Sequence, residues 1–237
     1  MSFRTELHLN SSFPFSLEQS FFCMGSCFAG NISGILQSYR LPTCVNPFGI
    51  TYNPLSIASS LHRLLDQKPY TKEELIKDKG LYLSLDHHGD FSDSLADTCL
   101  QKINQSFEEA QRALQDSTVM IVTLGTAFVY HDKETDQVVN NCHRLAASRF
   151  ERSLLKSDEI VAELGEVLKE IVSLKPKLQI LISVSPIRHL RDSFPQNTLS
   201  KSQLIAAAHE LEEGIEQVEY LPIYELMMDD LRDYRFY

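Results

Sequence analysis

The sequence predicts a three-layer α/β/α sandwich built on a mostly parallel β-sheet. Strand and helix patterns alternate along nearly the whole chain, and two of the predicted strands, at 118–124 and 178–184, are rich in β-branched and other apolar residues. Strands of this kind are typical of sheets that helices cover on both faces. The 237 residues contain no internal repeat, low-complexity tract or linker, so we expect a single domain over residues 1–237.

Local patterns predict each element of the first half. An apolar run that stops at a glycine indicates a strand, and apolar residues three and four positions apart indicate a helix, as they do after Asn53-Pro54. Thr71 and Glu74 have the spacing of a capping box. The predicted strands are 20–25, 41–45 and 81–85, and the predicted helices are 28–39, the stretch from 54 onwards and 94–114.

The second half is predicted in the same way. A polar turn separates two strand-like segments and indicates a hairpin, whose acidic stretch 132–136 we expect at a solvated tip. Ser157 is expected to cap a helix, and Ser200 with Gln203 to form the capping box of another. The hairpin and the region 81–94 look like insertions over the active edge of the sheet. The predicted elements are hairpin strands at 127–131 and 137–140, helices at 157–174 and 200–217, and a last strand at 218–221.

Composition and charge exclude several classes of protein. A hydrophobic content of 43% with 23% charged residues provides a sizeable core and argues against disorder. The net charge of −10 argues against a nucleic-acid partner, which requires a basic surface. No stretch approaches the roughly 18 apolar residues of a membrane helix.

The cysteines and the N-terminus bear on the cellular compartment. The five cysteines are an odd and scattered set, which fits reduced thiols better than a disulfide framework. Residues 1–8 contain no apolar segment of the kind that a secretory signal requires. We therefore expect a cytoplasmic protein.

The stretch around Gly25-Ser26 is the most informative part of the chain. An apolar run stops at this pair, and a helix-compatible stretch follows, which is how an α/β protein presents a hydroxyl nucleophile at the carboxyl edge of its sheet. Glycine permits the sharp turn, and the next helix directs its N-terminal amides at developing negative charge. The alternative is an ordinary strand-to-helix turn in which Ser26 is only the N-cap.

Four polar loops follow predicted strands and should meet at one edge of the sheet. They carry Ser26, residues 46–49, Gly125-Thr126 and residues 185–189. A nucleophile, backbone donors from a second loop and polar side chains from a third are the parts that an acyl-transfer site needs. The four loops together favour the functional interpretation of the Gly25-Ser26 turn.

Residues 24–29 read Met-Gly-Ser-Cys-Phe-Ala, and this motif resembles the one that names the GSCFA domain family, a branch of the SGNH (GDSL-like) hydrolase superfamily. The resemblance covers nearly the whole chain, in the right order, and implies a flavodoxin-like sheet. Further blocks that look like family blocks are 46–54, 86–89, 123–127, 141–143, 183–190 and 233–237.

The resemblance implies the roles of several residues. Ser26 would be the nucleophile, and the oxyanion hole would use the amides of Ser26 and Gly49. Thr126 stands where the superfamily has an asparagine, so a hydroxyl would replace an amide donor. Asn46, on the loop of Gly49, is a predicted substrate-binding residue.

The superfamily supplies its general base from an Asp-x-x-His block near the C-terminus. No such block lies near the end of this sequence, so we expect a domain that lacks it, with the base beyond Tyr237. His189 is the best substitute within the chain, although a loop histidine that holds a backbone carbonyl is the simpler interpretation. His87, His88 and His143 are expected to line a substrate pocket.

A metal site and a cysteine nucleophile are two further chemistries that these residue types allow. Asp86, His87, His88 and His143 are suitable ligand types, but no spacing signature supports a metal site, and none is predicted. Cys27 follows the serine at a helix N-terminus, where a thiol is more acidic than usual. We expect Cys27 to be structural, since the residue after the nucleophile normally contributes its amide.

The sequence therefore predicts a serine-dependent ester hydrolase, or an acyltransferase, that acts on a small-molecule or glycan ester without a cofactor. One alternative is a non-catalytic carbohydrate or small-molecule binding domain that has lost its base. Another is a nucleotide or phosphate binder, although residues 25–30 lack both the Gly-x-Gly-x-x-Gly pattern and a Walker lysine. The sequence leaves the oligomeric state open.

Overall fold

The computed structural model describes residues 13–231, apart from the side chain of Leu190. The family-like block at 233–237 and the N-terminal residues 1–12 lie outside the described part. The strands are β1 (Phe21–Gly25), β2 (Thr43–Val45), β3 (Ile76–Asp78), β4 (Leu81–Leu83), β5 (Val119–Leu124), β6 (Phe128–Asp132), β7 (Gln137–Val139), β8 (Phe150–Leu154), β9 (Gln179–Val184) and β10 (Val218–Leu221). The helices are α1 (Cys27–Ser38), α2 (Pro54–Leu65), α3 (Ala96–Asp116), α4 (Ser157–Leu174), α5 (Ser193–Gly214) and the short α6 (Ile223–Glu225).

Five strands form the central sheet in the order β10-β9-β5-β1-β2, and all of them run parallel. β1 is paired with β2 on one side and with β5 on the other. The chain therefore adds β2 on one side of β1 and then adds β5, β9 and β10 in turn on the other side. This order is that of flavodoxin-like folds. The predicted three-layer sandwich with a mostly parallel sheet is confirmed.

Alternate side chains of the strands pack into two apolar layers. Phe22 and Met24 of β1 belong to the large core, together with buried residues of α2, α3, α4 and α5. Phe21 and Cys23 point to the opposite face and pack with Leu36 of α1. Because successive strand residues face opposite sides, a strand buried on both faces needs the uninterrupted apolar run seen in the sequence.

The predicted hairpin is present and has a third strand that the sequence did not reveal. β6 pairs antiparallel with β7 and also with β8, giving a small sheet of order β7-β6-β8. β8 reads Phe-Glu-Arg-Ser-Leu and exposes its three central residues, so it has little of the apolar character by which strands are recognised. β4 opens the other predicted insertion and forms a second antiparallel pair with β3, which precedes that insertion.

The structure changes the predicted start of one helix and the predicted caps of two. α5 begins at Ser193 rather than at Ser200, so Ser200 lies within the helix and its hydroxyl accepts a hydrogen bond from the amide of Ala127 at 2.8 Å. Gln203 accepts from the amide of Ser157 at 2.8 Å and thereby caps α4 instead of its own helix. Ser157 is the first residue of α4, and Lys156 occupies its N-cap position. Both capping assignments change because the partners come from distant parts of the chain.

The acidic hairpin turn is not simply solvated, because Asp132 is fully buried at its base. Its carboxylate accepts two hydrogen bonds from Arg149, at 2.7 and 2.6 Å, and a third from the amide of Glu134 at 3.2 Å. The Arg149 guanidinium holds the pKa of Asp132 below its ordinary value of 3.8. Asp132 therefore ties β6 to the segment that leads into β8.

Asp132→Asn is expected to lower the free energy of unfolding by about 3 kcal/mol, because it leaves a mostly buried arginine without its main partner. Glu134→Gln is the matched control: Glu134 contacts the same arginine at 2.9 Å, but its side chain is 65% exposed, so the expected change is below about 0.5 kcal/mol. Urea unfolding at pH 7 measures both. Equal effects of the two variants would contradict the prediction.

Within residues 13–231, no helix combines the length and the apolar character that crossing a bilayer requires.

Candidate functional site

The strand order places a crevice at the carboxyl ends of β1 and β5. Connections leave these two neighbouring strands in opposite directions, and ligands of open α/β sheets bind at such a switch point. The loops that follow β1, β2, β5 and β9 are those that the sequence expects to converge. Hydrogen bonds between them show that they do.

Gly25 is the centre of the first loop and makes two hydrogen bonds to the loop after β2. Its amide donates to Asn46 Oδ1 at 2.9 Å, and its carbonyl accepts from the amide of Thr51 at 3.0 Å. Its φ of +133° is strained for residues with a side chain, and a Cβ atom would lie 2.1 Å from the carbonyl oxygen of Thr123. Only glycine fits this position without displacing β5.

Ser26 lies at the predicted turn, but it is only 1% exposed. Its hydroxyl accepts a hydrogen bond from the amide of Phe28 at 3.3 Å and thus caps α1. Its own amide donates to the carbonyl of Thr123 at 3.0 Å, which extends the pairing of β1 with β5. Ser26 therefore has the contacts of an N-cap residue, and its amide is occupied by a protein acceptor.

Asn46 and Gly49 shape the second loop rather than reaching into the crevice. The side-chain oxygen of Asn46 accepts the hydrogen bond from the amide of Gly25 that is described above. The amide of Gly49 donates to the carbonyl of Asn46 at 2.7 Å. Gly49 has a φ of +79°, and a Cβ atom there would lie 2.2 Å from Cβ of His88. The glycine is thus explained by a tight turn packed against His88.

The third loop is held by Tyr52. The carbonyl of Tyr52 accepts from the amides of Gly125 and Thr126, at 2.8 and 3.0 Å. The Thr126 hydroxyl accepts from the amide of Phe128 at 3.1 Å and lies 3.1 Å from the Ser200 hydroxyl. Because the Ser200 oxygen already accepts from an amide, Ser200 can donate its hydrogen to Thr126. The hydroxyl hydrogen of Thr126 is then available to a ligand.

His189 of the fourth loop is half-buried, and contacts of its backbone and of its ring fix its position. Its amide donates to Asn197 Oδ1 at 2.9 Å, and its ring meets that of Tyr52 edge to face at 5.6 Å. Burial, followed by the nearby charge of Lys201, lowers the pKa of His189 below its ordinary 6.5. The imidazole is therefore neutral at pH 7 and able to accept a proton.

Next to these loops the structure has a groove of about 580 Å³. Four of the predicted site residues line it: His88, Thr126, His143 and His189. Its other walls include aromatic rings, amide side chains and two arginines. These are Tyr52, Phe128, Tyr130, Phe150, Asn140, Asn141, Arg152 and Arg191.

His87 was expected to line the pocket, but it is 1% exposed and lies inside an aromatic cluster. Its ring packs against Phe48, Tyr70 and Phe91, at centroid distances of 5.3, 4.6 and 4.9 Å. Its Nδ1 lies 2.9 Å from the hydroxyl of Ser84. The surrounding rings separate His87 from the groove, so it cannot contact a ligand bound there.

His88 and His143 do face the groove, each with a protein partner of its own. His88 Nδ1 lies 2.9 Å from a carboxylate oxygen of Asp90. His143 donates from Nε2 to the carbonyl of Ser84 at 2.8 Å, and burial lowers its pKa. Both are suited to contact polar groups of a ligand. Within residues 13–231, no three histidine, cysteine, aspartate or glutamate side chains come together in a group that could hold a metal ion.

The sequence did not indicate two side chains, Arg152 in the groove and Lys201 beneath the loops that follow β5 and β9. Arg152 lies over the ring of Phe128, 3.5 Å from its centroid, and forms an ion pair with Asp192. Lys201 is 1% exposed and donates to the carbonyls of Gly125 and Ser185, each at 2.6 Å. The spacing of Lys201 from Leu204, Ala208 and Leu211 places it on the apolar face of α5, and this spacing could have revealed it.

The fold and the site define a class: a flavodoxin-like α/β protein with a groove beside the switch point of its sheet. The chain belongs to the GSCFA family, whose family model matches residues 20–237. Neither a curated protein nor a solved structure matches the chain.

Proposed function

We propose that this protein is an acyl-transfer enzyme of the SGNH type that cleaves carboxylic esters in the groove at its switch point. The observation that carries the proposal is that the Thr126 hydroxyl and the neutral imidazole of His189 line one groove, while the β1–α1 turn is bonded to Thr123, near the end of the strand that leads to Thr126. A nucleophile, an oxyanion donor and a proton acceptor are the groups that acyl transfer requires.

In this mechanism the β1–α1 turn supplies the attacking group, for which the sequence favours Ser26. Thr126 donates a hydrogen bond to the carbonyl oxygen as it gains negative charge. His189 accepts the proton of the nucleophile and returns it to the leaving alcohol. Water or a second hydroxyl compound then takes the acyl group, so hydrolysis and transfer share the same first step.

The walls of the groove support a polar ester with an apolar face, such as an acylated sugar. Tyr52, Phe128 and Tyr130 provide aromatic surface, and Asn140 and Asn141 provide amide groups beside it. This combination is typical of pockets that bind small organic ligands. The five cysteines carry free thiols, in keeping with our proposal of a cytoplasmic location.

His189→Gln is expected to lower kcat for p-nitrophenyl acetate by about 100-fold or more, the usual contribution of a general base. His209→Gln is the matched control, because this histidine of α5 has a half-exposed side chain bonded to Glu212. Wild-type activity should be constant near neutral pH and fall only when the pH drops below the lowered pKa of His189. Equal activity of the two variants would exclude His189 as the base.

A non-catalytic binding domain is the second candidate, and the contacts of Ser26 favour it. Its hydroxyl is covered, and the amides of Ser26 and Gly49 both donate to protein carbonyls. This candidate predicts that the groove binds acylated sugars, measured by calorimetry, while p-nitrophenyl acetate is hydrolysed no faster than in buffer. Turnover above that background, lost in His189→Gln, would exclude it.

A further inference from the structure

The groove differs in charge from the protein as a whole. The sequence has 32 acidic and 22 basic side chains and a net charge of −10. Within residues 13–231, the lining of the groove reverses this balance: it contains two arginines, Arg152 and Arg191, and a single carboxylate, that of Asp192. A concave site with an excess of positive groups attracts anions. The groove is therefore suited to a ligand that carries negative charge.

Arg152 is fixed in the groove by two contacts. Its guanidinium group forms an ion pair with Asp192 and lies over the ring of Phe128, 3.5 Å from the ring centroid. A guanidinium group has five N–H donors, and within residues 13–231 the bond to Asp192 is the one side-chain hydrogen bond that Arg152 makes. Arg152 is thus held in place and still has N–H groups for an acceptor on a ligand.

Arg191 is the cation of the groove that no carboxylate compensates. The residue is exposed, and within the described residues 13–231 its side chain forms no ion pair. It follows His189 by two residues, so the Cα atoms of these two residues lie at most about 7 Å apart. Arg152 comes from β8 and Arg191 from the segment after β9. The fold therefore brings two guanidinium groups, distant in sequence, to the groove that contains the proposed base.

We propose that the ester bound in the groove carries an anionic group, and that Arg152 and Arg191 bind this group. The inference rests on the proposed acyl-transfer function and names the class of its substrate. Guanidinium groups bind carboxylate and phosphate oxygens through paired N–H donors, with hydrogen bonds about twice as strong as neutral ones. The anionic group belongs either to the acyl part or to the alcohol part of the ester, and the experiment distinguishes the two.

Two matched pairs of esters test the charge preference. Mono-p-nitrophenyl glutarate carries a carboxylate in its acyl part, and p-nitrophenyl pentanoate is its neutral counterpart. The acetyl ester p-acetoxybenzoate carries a carboxylate in its alcohol part, and its methyl ester is the neutral counterpart. In one pair, kcat/KM of the wild type is expected to be at least about tenfold higher for the anionic ester, after subtraction of the rate in buffer. The pair that shows the preference identifies the part of the ester that carries the charge. Equal kcat/KM values within both pairs would overturn the proposal.

Arg191→Gln tests the cation at a position where folding is not at risk, because the residue is exposed. The variant is expected to reduce the preference for the anionic ester by about tenfold, through KM rather than kcat, and Arg191→Lys should retain part of it. Arg144→Gln is the matched control, because Arg144 is an exposed arginine close to His143 that does not line the groove. Its preference should equal that of the wild type. Equal losses in Arg191→Gln and Arg144→Gln, or no loss in Arg191→Gln, would contradict the proposal.

Binding without turnover separates this inference from the function on which it rests. Calorimetry measures the amide analogues of the four esters, which are not expected to be cleaved. If the wild type binds an anionic analogue at least about tenfold more tightly than its neutral counterpart, and Arg191→Gln does not, the anion site stands even where no ester is turned over and the acyl-transfer function fails. If esters are turned over and neither kcat/KM nor binding depends on their charge, the inference is wrong and the acyl-transfer function stands. Absence of both turnover and binding would overturn both.

Discussion

The protein is expected to lose stability as the pH falls from 6.5 to 3, and replacing His87 with phenylalanine is expected to abolish most of that loss. Burial among aromatic rings lowers the pKa of His87 from 6.5 to about 3. The unfolded chain binds a proton over that range and the folded chain does not, so the stability present above pH 6.5 is lost as the pH falls. At about 1.4 kcal/mol per pKa unit, the loss approaches about 5 kcal/mol.

The measurement is urea unfolding of wild type and His87→Phe at several pH values. Burial raises the pKa of Asp86 above 3.8, which changes the stability in the opposite direction as the pH falls, so the difference between the two proteins is the informative quantity. At pH 7 the variant loses only the contact with Ser84, about 1 kcal/mol. His62→Gln, at a partly exposed histidine near Glu170, is the control. Parallel pH curves for wild type and His87→Phe would contradict the prediction.

Gly25→Ala is expected to destabilise the fold by about 4 kcal/mol or more, enough to prevent folding of a marginally stable domain. The added Cβ would lie 2.1 Å from the carbonyl oxygen of Thr123, on a backbone with a φ of +133°. Because this carbonyl belongs to β5, no side chain can yield to relieve the contact. The two central strands would have to separate at the switch point.

Gly34→Ala is the matched control for that experiment. Gly34 lies in α1, nine residues after Gly25, and a Cβ atom there meets nothing within 4 Å. Alanine favours the helix over glycine, so this variant should gain about 1 kcal/mol. Thermal unfolding followed by circular dichroism measures both variants. A folded Gly25→Ala protein with a wild-type midpoint would show that the backbone of the turn has more freedom than these contacts allow.

The strands and most helices could be predicted because their signals are local. β5 and β9 are continuous apolar runs, and only burial on both faces explains such runs. α2 begins directly after Asn53, whose side chain accepts from the amide of Ser56 at 2.8 Å, as an N-cap should. In these cases the residues that determine the element lie within the element itself.

The missed elements have their determinants elsewhere in the chain. The first turns of α5 include Pro195 and have no apolar face, so nothing local indicates a helix there. The residues that secure this segment are Asn197 and Ser200, which bond to the backbones of His189 and Ala127. Similarly, β8 is recognisable only through its pairing with β6.

The sequence by itself determined the fold class and the importance of the Gly25-Ser26 turn, because an apolar run, a glycine and a capping residue are local signals. Only the tertiary structure decided which side chain of the turn can be reached. Ser26 is covered, whereas Cys27 is partly exposed, because Asn46, Thr51 and Thr123, which are distant in sequence, bond to the backbone of Gly25 and Ser26. Burial and charge depend on such neighbours, and a local pattern does not contain them.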